Sequence, residues 1–227
     1  MLLEQERDDV VRTCRELAAA GLVVGTSGNV SVRAGDLIAV SPSGLDYAGL
    51  TAELVGVHRL DGTAVAAPLR PTSELPLHLA VYAATGAGAI VHTHPVAATA
   101  LSTLTDEVPA IHYYVAMFGG PVPVAPYATY GTEQLARNVA AALKGDTALA
   151  GRTGCLMANH GAVTTGPDLR SALTSTRHLE WLCEVYLKAL AAGHPDGPRL
   201  LPADEIALVA GQLASYGQRV PEDKQGG

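Results

Sequence analysis

Apolar residues recur at helical spacing over positions 3–20, where Leu3, Val10, Cys14 and Leu17 share one face and Gly21 suits a C-cap. The pattern then changes to alternation. Val30 and Val32 fall on one side of a strand over 29–33, and Ala34-Gly35-Asp36 turns it back into 37–40. A second hairpin is predicted from 54–59 and 63–66 across Asp61-Gly62. A helix begins near Pro71-Thr72-Ser73-Glu74-Leu75-Pro76 and runs to about position 85. There Thr72 or Ser73 can cap, Glu74 falls in the first turn, and Pro76 fits only near the start. Positions 89–94 read as a short strand ended by Pro95, and 121–127 as extended chain. A helix over 132–144 points Leu135, Val139 and Leu143 inward, with Gly145 as its stop. Positions 155–159 and 162–165 form a hairpin about His160-Gly161. The longest helix opens at Pro167 and runs to about 192, and a last one starts after Pro202 and ends near Tyr216.

Hairpins that adjoin without intervening helices predict a mostly antiparallel sheet. Helices at intervals and at both ends are enough to cover both faces. The expected fold is α/β, a single domain over 1–220 in three αβα layers, followed by a polar tail over 221–227.

Composition narrows the function classes. With 48% apolar and 16% charged residues, the 227-residue chain has the balance of a folded core. A net charge of -7 argues against a nucleic-acid partner, which needs a basic face. The cysteines (Cys14, Cys155, Cys183) are odd in number and irregularly spaced, which speaks against a disulfide framework and for a reducing compartment, hence the cytoplasm. Charges in the first nine residues come too early for a signal peptide, and no apolar run is long enough to predict a membrane span.

The candidate chemistry begins with histidine. His92 and His94 lie at i and i+2 of a predicted strand, so both imidazoles leave the same face. His160 sits at a hairpin tip among small residues. Three neutral imidazoles with one open position make a catalytic zinc shell, although a His-x-His pair by itself equally fits solvated or core histidines. Three polar loops accompany them: Thr26-Ser27-Gly28-Asn29, then Ser41-Pro42-Ser43-Gly44, then Thr72-Ser73. Hydroxyls, an amide and backbone N–H groups beside a helix N-terminus suit a phosphate dianion, and the same residues suit ordinary turns. Glu74 stands where a helix dipole favours a carboxylate, a position that also reads as capping. Tyr113, Tyr114, Tyr127 and Tyr130 gather around Gly119-Gly120, and His112 adjoins Tyr113.

The order of these motifs resembles the class II aldolase/adducin family. It runs Gly25-Thr26-Ser27-Gly28-Asn29, Ser41-Pro42-Ser43-Gly44, Pro71-Thr72-Ser73-Glu74, His92-Thr93-His94, Asn159-His160-Gly161. Pro109-Ala110-Ile111-His112-Tyr113, Ala125-Pro126-Tyr127-Ala128-Thr129-Tyr130-Gly131-Thr132 and Tyr216-Gly217-Gln218-Arg219-Val220 are similar to the aldolase branch. The resemblance implies that His92, His94 and His160 hold Zn²⁺, with Mn²⁺ or Co²⁺ as alternatives, and that Glu74 is the acid/base. It implies that Asn29, Ser43, Gly44, Thr72 and Ser73 hold a substrate phosphate, with Thr26 and Gly28 shaping that loop. It assigns Tyr113 and Tyr216 to completing the site of a neighbouring subunit in a homotetramer. The implied reaction is retro-aldol cleavage of a ketose 1-phosphate, such as L-fuculose 1-phosphate, to dihydroxyacetone phosphate and an aldehyde. Zinc would be the Lewis acid, so no Schiff-base lysine is required of Lys144, Lys188 or Lys224. Tyr130 stands where the members of that branch that cleave fuculose phosphate have Phe, near the aldehyde side. This keeps open a substrate such as 5-deoxyribulose or 5-methylthioribulose 1-phosphate, for an aldolase or a dehydratase. The family's 4-epimerases carry Asp where this chain has Glu74, and its adducin heads lack a working metal site.

Overall fold

The computed structural model describes residues 1–144 and 151–213. Four strands come first: β1 (Asn29–Ala34), β2 (Leu37–Val40), β3 (Gly56–Arg59) and β4 (Ala64–Ala66). β5 (Ala89–Thr93), β6 (Glu107–Val108), β7 (Val122–Ala125), β8 (Gly154–Met157) and β9 (Gly161–Gly166) follow. Together they make one sheet in the order β4-β3-β2-β1-β5-β9-β8-β7-β6. Every pairing is antiparallel except that of β7 with β8. The predicted mostly antiparallel sheet is therefore present, and one parallel contact enters because α4 (Glu133–Lys144) carries the chain across between β7 and β8.

Alternation on the central strands decides which helix covers which face. Ile90 of β5 and Val163 of β9 pack with Leu77 and Val81 of α2 (Leu75–Thr85) and with Leu135 and Val139 of α4. Their neighbours Ala89 and Val91 point the other way, into a cluster with Val10, Cys14 and Leu17 of α1 (Glu4–Ala19) and Leu169 and Leu173 of α5 (Leu169–Ala191). Farther along that second face, α3 (Val96–Leu101) and α6 (Ala203–Leu213) pack with α5 around Leu101, Phe118, Leu182 and Ile206. Two helical layers thus sandwich the sheet, the αβα arrangement that the pattern predicts. Each fully buried aliphatic side chain contributes about 1.5–3 kcal/mol.

The structure corrects several boundaries. The second hairpin strand starts at Gly56 instead of Leu54, because 52–54 close a 3-10 turn, and a bulge falls between Val57 and His58. The hairpin strands around His160 are Gly154–Met157 and Gly161–Gly166, leaving Ala158, Asn159 and His160 as the turn. α3, β6 and a 3-10 segment over Tyr113–Phe118 have no counterpart in the predicted elements. The expected stop at Gly145, the helix end at Tyr216 and the tail over 221–227 lie outside the described residues.

Candidate active site

Register brings the candidate residues to one end of the sheet. β5 ends beside the start of β1, where Asn29 lies opposite His92, and beside the start of β9, where Ala162 lies opposite Thr93. Close approach of backbones makes this convergence dense. A Cβ on Gly161 would lie 2.3 Å from the Thr93 carbonyl oxygen, and one on Gly28 (φ +83) would lie 2.9 Å from that of His92. Only glycine lets both segments close on the strand that carries His92 and His94.

Between those approaches stand three imidazoles. The ring centroids of His92, His94 and His160 lie 4.7, 5.0 and 4.8 Å apart, a nearly equilateral triangle. One ligand nitrogen from each falls within 4.8 Å of the others. His92 Nδ1 donates to the Ala162 carbonyl at 2.9 Å, so its neutral form keeps the Nε2 lone pair facing the cluster. Burial, then the nearby rings, lower His94 and His160 to about 4, so both are neutral at neutral pH.

Glu74 does not behave as a helix cap. It occupies the N-cap position of α2, but its carboxylate bonds no helix N–H. Thr72 Oγ1 instead accepts from the Glu74 backbone N–H at 3.2 Å, and Pro76 fills the first turn. Released from capping, the carboxylate turns into the cluster. Oε2 lies 3.0 Å from His92 Nε2 and accepts from Asn29 Nδ2 at 2.9 Å, while Oε1 is 3.6 Å from His160 Nε2. Burial would raise the carboxyl, but the charge and hydrogen bond of His92, then Asn29 and His160, outweigh it and hold the group well below the usual carboxylate range. The same pairing raises His92 against its own burial.

A cavity of about 140 Å³ opens beside this centre. It is lined by Thr26, Gly28 and Asn29 from the first loop and by Ser43 and Gly44 from the second. Thr72 and Ser73 at the start of α2 complete that wall, with Glu74, His94, His160 and Tyr130 around it. All eight sequence-predicted substrate residues thus line one cavity. No Lys or Arg lines it among the described residues, so an anion there would meet hydroxyls, amides and the N-terminal end of α2. Asn29 has one amide hydrogen on Glu74 and a second to offer. Tyr130 is 68% exposed at the rim. Tyr113 is not among the cavity residues. It stacks with His112 at 4.1 Å and joins Tyr114, Val209 and Leu213 around a separate cleft. Tyr216 lies outside the described residues.

The donor set fits a divalent cation. Three imidazole nitrogens converge, and Oε1 of a buried carboxylate beside them has no hydrogen-bond partner. A cation here would be held by His92, His94 and His160, replacing the proton that His92 shares with Glu74.

Sequence reasoning missed three residues behind this site. His78, Ser31 and Tyr82 form a buried hydrogen-bonded run that reaches Glu74 through Asn29. The spacing of Glu74, His78 and Tyr82, four residues apart along one helix face, was the available signal.

A sheet that delivers three imidazoles and a free carboxylate to one strand end, beside an anion-suited cavity, has the donor set for metal-dependent chemistry on an anionic substrate. The chain belongs to the family described as Class II Aldolase and Adducin N-terminal domain, which matches residues 8–187. It is 38% identical over 215 residues to L-fuculose phosphate aldolase of Escherichia coli (strain K12), covering 94% of this chain and 96% of the relative. It is 36% identical over 222 residues to 5-deoxy-D-ribulose 1-phosphate aldolase of Bacillus thuringiensis serovar kurstaki, covering 96% of this chain and all of the relative. The solved structure of an L-fuculose 1-phosphate aldolase superposes with a TM-score of 0.86 at 33% identity, over 92% of this chain and 96% of that one. The chain is accordingly an enzyme of the lyase type, a class II aldolase.

Proposed function

We propose that the enzyme cleaves a ketose 1-phosphate between C3 and C4, giving dihydroxyacetone phosphate and a small aldehyde, with Zn²⁺ as the resident cation. The observation that carries this reading is the Glu74 carboxylate, turned off its helix into the His92–His94–His160 cluster at the mouth of a small hydroxyl-lined cavity. When bound, the cation supplies Lewis acidity for the negative charge that carbon–carbon cleavage leaves on the ketose fragment.

The chain's own groups divide the remaining work. Thr26, Gly28, Asn29, Ser43, Gly44, Thr72 and Ser73 anchor the phosphate, and that anchoring aligns the reacting carbons. Glu74 Oε2 already accepts from Asn29 and faces His92, whereas Oε1 accepts nothing. Oε1 is therefore the oxygen that carries the proton to and from C3. The aldehyde half lies toward Tyr130, and a tyrosine on that side takes the C4 hydroxyl proton as the C3–C4 bond breaks and the aldehyde carbonyl forms.

Tyr130 also supports a second reading, in which the aldehyde half is that of 5-deoxyribulose or 5-methylthioribulose 1-phosphate. The similarity to a 5-deoxy-D-ribulose 1-phosphate aldolase matches that to the fuculose enzymes, and the family resemblance puts Tyr130 on the side where these substrates differ. In both readings the enzyme is a cytoplasmic homotetramer, with Tyr113 and Tyr216 completing a neighbour's site. The exposed position of Tyr113, away from its own cavity, supports that arrangement.

The test is release of dihydroxyacetone phosphate from a series of ketose 1-phosphates differing at C4 to C6, before and after chelation and Zn²⁺ replacement. Full turnover by metal-free enzyme, or cleavage of none of the series, would refute the proposal.

A further inference from the structure

Behind Glu74 a strand and a helix are laced together by polar side chains. Asn29 and Ser31 leave one face of β1, and Glu74, His78 and Tyr82 form one stripe at the start and along the length of α2. All five are buried: Asn29 4%, Ser31 0%, Glu74 5%, His78 0% and Tyr82 2% exposed. The contacts run Glu74 Oε2 to Asn29 Nδ2 at 2.9 Å, Asn29 Oδ1 to His78 Nε2 at 2.5 Å, His78 Nδ1 to Ser31 Oγ at 2.6 Å, and Ser31 Oγ to Tyr82 Oη at 2.8 Å.

The direction of every hydrogen bond follows from the carboxylate. Ionised Glu74 can only accept, so Asn29 must turn its N–H toward it. Asn29 Oδ1 then faces His78 and can only accept, so the imidazole must carry its proton on Nε2. The neutral ring's Nδ1 becomes an acceptor, Ser31 donates to it, and Ser31 Oγ is left to accept from the Tyr82 hydroxyl. A His78 ring with its proton on Nδ1 breaks the run at the Asn29 contact, where two acceptor lone pairs would face each other, while Ser31 would simply reverse its hydrogen bonds. Such a ring would leave the Asn29 amide free to rotate and present its carbonyl to the Glu74 carboxylate.

We infer that His78 is a positioning residue, whose Nε2–H locks the Asn29 amide so that its N–H holds Glu74 Oε2 and leaves Oε1 free to carry the proton. The geometry that carries this is the five-residue run from the helix stripe to the strand face, ending on the carboxylate at the three-histidine cluster. It rests on the proposed role of Glu74, and one of its readouts does not depend on that role.

The experiment has two arms. In the first, ¹⁵N-histidine enzyme is examined by long-range ¹H–¹⁵N correlation, with His78 assigned by its disappearance in His78→Gln. A neutral ring protonated on Nε2 is expected, and protonation on Nδ1 overturns the inference. In the second, His78→Leu and His78→Gln are compared by kinetics at equal, measured metal content and equal folded fraction. Leu removes both contacts, whereas Gln supplies one N–H and one carbonyl acceptor. His78→Leu is expected to lower kcat by about 10–100-fold, with KM changed by less than about twofold, and His78→Gln to recover most of the loss. Full kcat in His78→Leu, a change confined to KM, or a Gln variant no better than Leu overturns it. Should the wild-type enzyme cleave no ketose 1-phosphate, the function proposed above fails, and the tautomer alone decides the place of His78.

Discussion

Asn29 donates to Glu74 Oε2 across 2.9 Å, joining the first residue of β1 to the residue at the N-cap position of α2. The two are 45 positions apart in the chain and both are buried. The bond satisfies one oxygen of a carboxylate that would otherwise be desolvated with only a histidine for a partner.

Asn29→Ala should therefore cost stability as well as activity. A buried hydrogen bond to a charged group is worth about 1.5–3 kcal/mol, and His78 Nε2 would also lose its acceptor. Thermal or urea unfolding of the metal-free protein checks the first effect. An unchanged midpoint would mean that water replaces the amide without loss.

Glu74→Gln keeps the shape of the side chain but cannot carry a proton. Turnover should fall by about 10²–10⁴-fold while metal content stays at the wild-type level. Proton exchange at C3 of dihydroxyacetone phosphate, followed by NMR, isolates the step. Exchange at the wild-type rate in the variant would assign the proton transfer to another group.

What could be read from the sequence follows the range of the interactions. His92 lies in β5 and His94 directly follows its last residue, so their pairing needs no tertiary information, and the order of the loops carries the rest of the family resemblance. Glu74 is ambiguous on local grounds, because a helix start favours a carboxylate whether or not it caps. The ambiguity is resolved only by Thr72 taking over the backbone contact. His78 looks isolated in sequence since its partners, Asn29 and Ser31, come from a strand 49 and 47 positions away. The unpredicted α3 is a six-residue run of Val, Ala, Thr and Leu with too little polarity to show a period. The 3-10 segment at Tyr113–Phe118 forms where Val115, Ala116 and Phe118 are drawn into the core beneath α6.

Gly161→Ala should damage the metal site from a distance. The new methyl would meet the Thr93 carbonyl oxygen at 2.3 Å and His94 Cδ2 at 3.2 Å, so the β9 end carrying His160 must move off β5. Overpacking of this kind typically costs about 1–3 kcal/mol, and a small displacement of one of three ligands weakens the other two contacts. Zn²⁺ titration against a competing chelator should show lower affinity, together with a lower unfolding midpoint. Loss of stability with metal affinity intact would show that the hairpin moves as a unit with His94.

The last prediction concerns acid. Burial lowers His78 from 6.5 to about 3, against the raising influence of Glu74 and with the help of His92, the charged and titratable groups that face it. The unfolded chain thus takes up a proton on this residue at a pH where the folded chain does not. Stability linked to it is fully present above the unfolded value of 6.5, and it is lost progressively as the pH falls from there toward 3. His94 and His160, lowered to about 4, add to the same slope in the metal-free protein, so total acid sensitivity does not isolate His78. The comparison that does is metal-free wild type against metal-free His78→Gln, each unfolded by urea at several pH values between 6 and 4.5. The variant keeps the other histidines and lacks this proton, so its stability should fall less steeply, by at most about 1.4 kcal/mol per pH unit. Parallel curves would mean that His78 is already protonated in the folded protein, against the burial that disfavours a charged ring there.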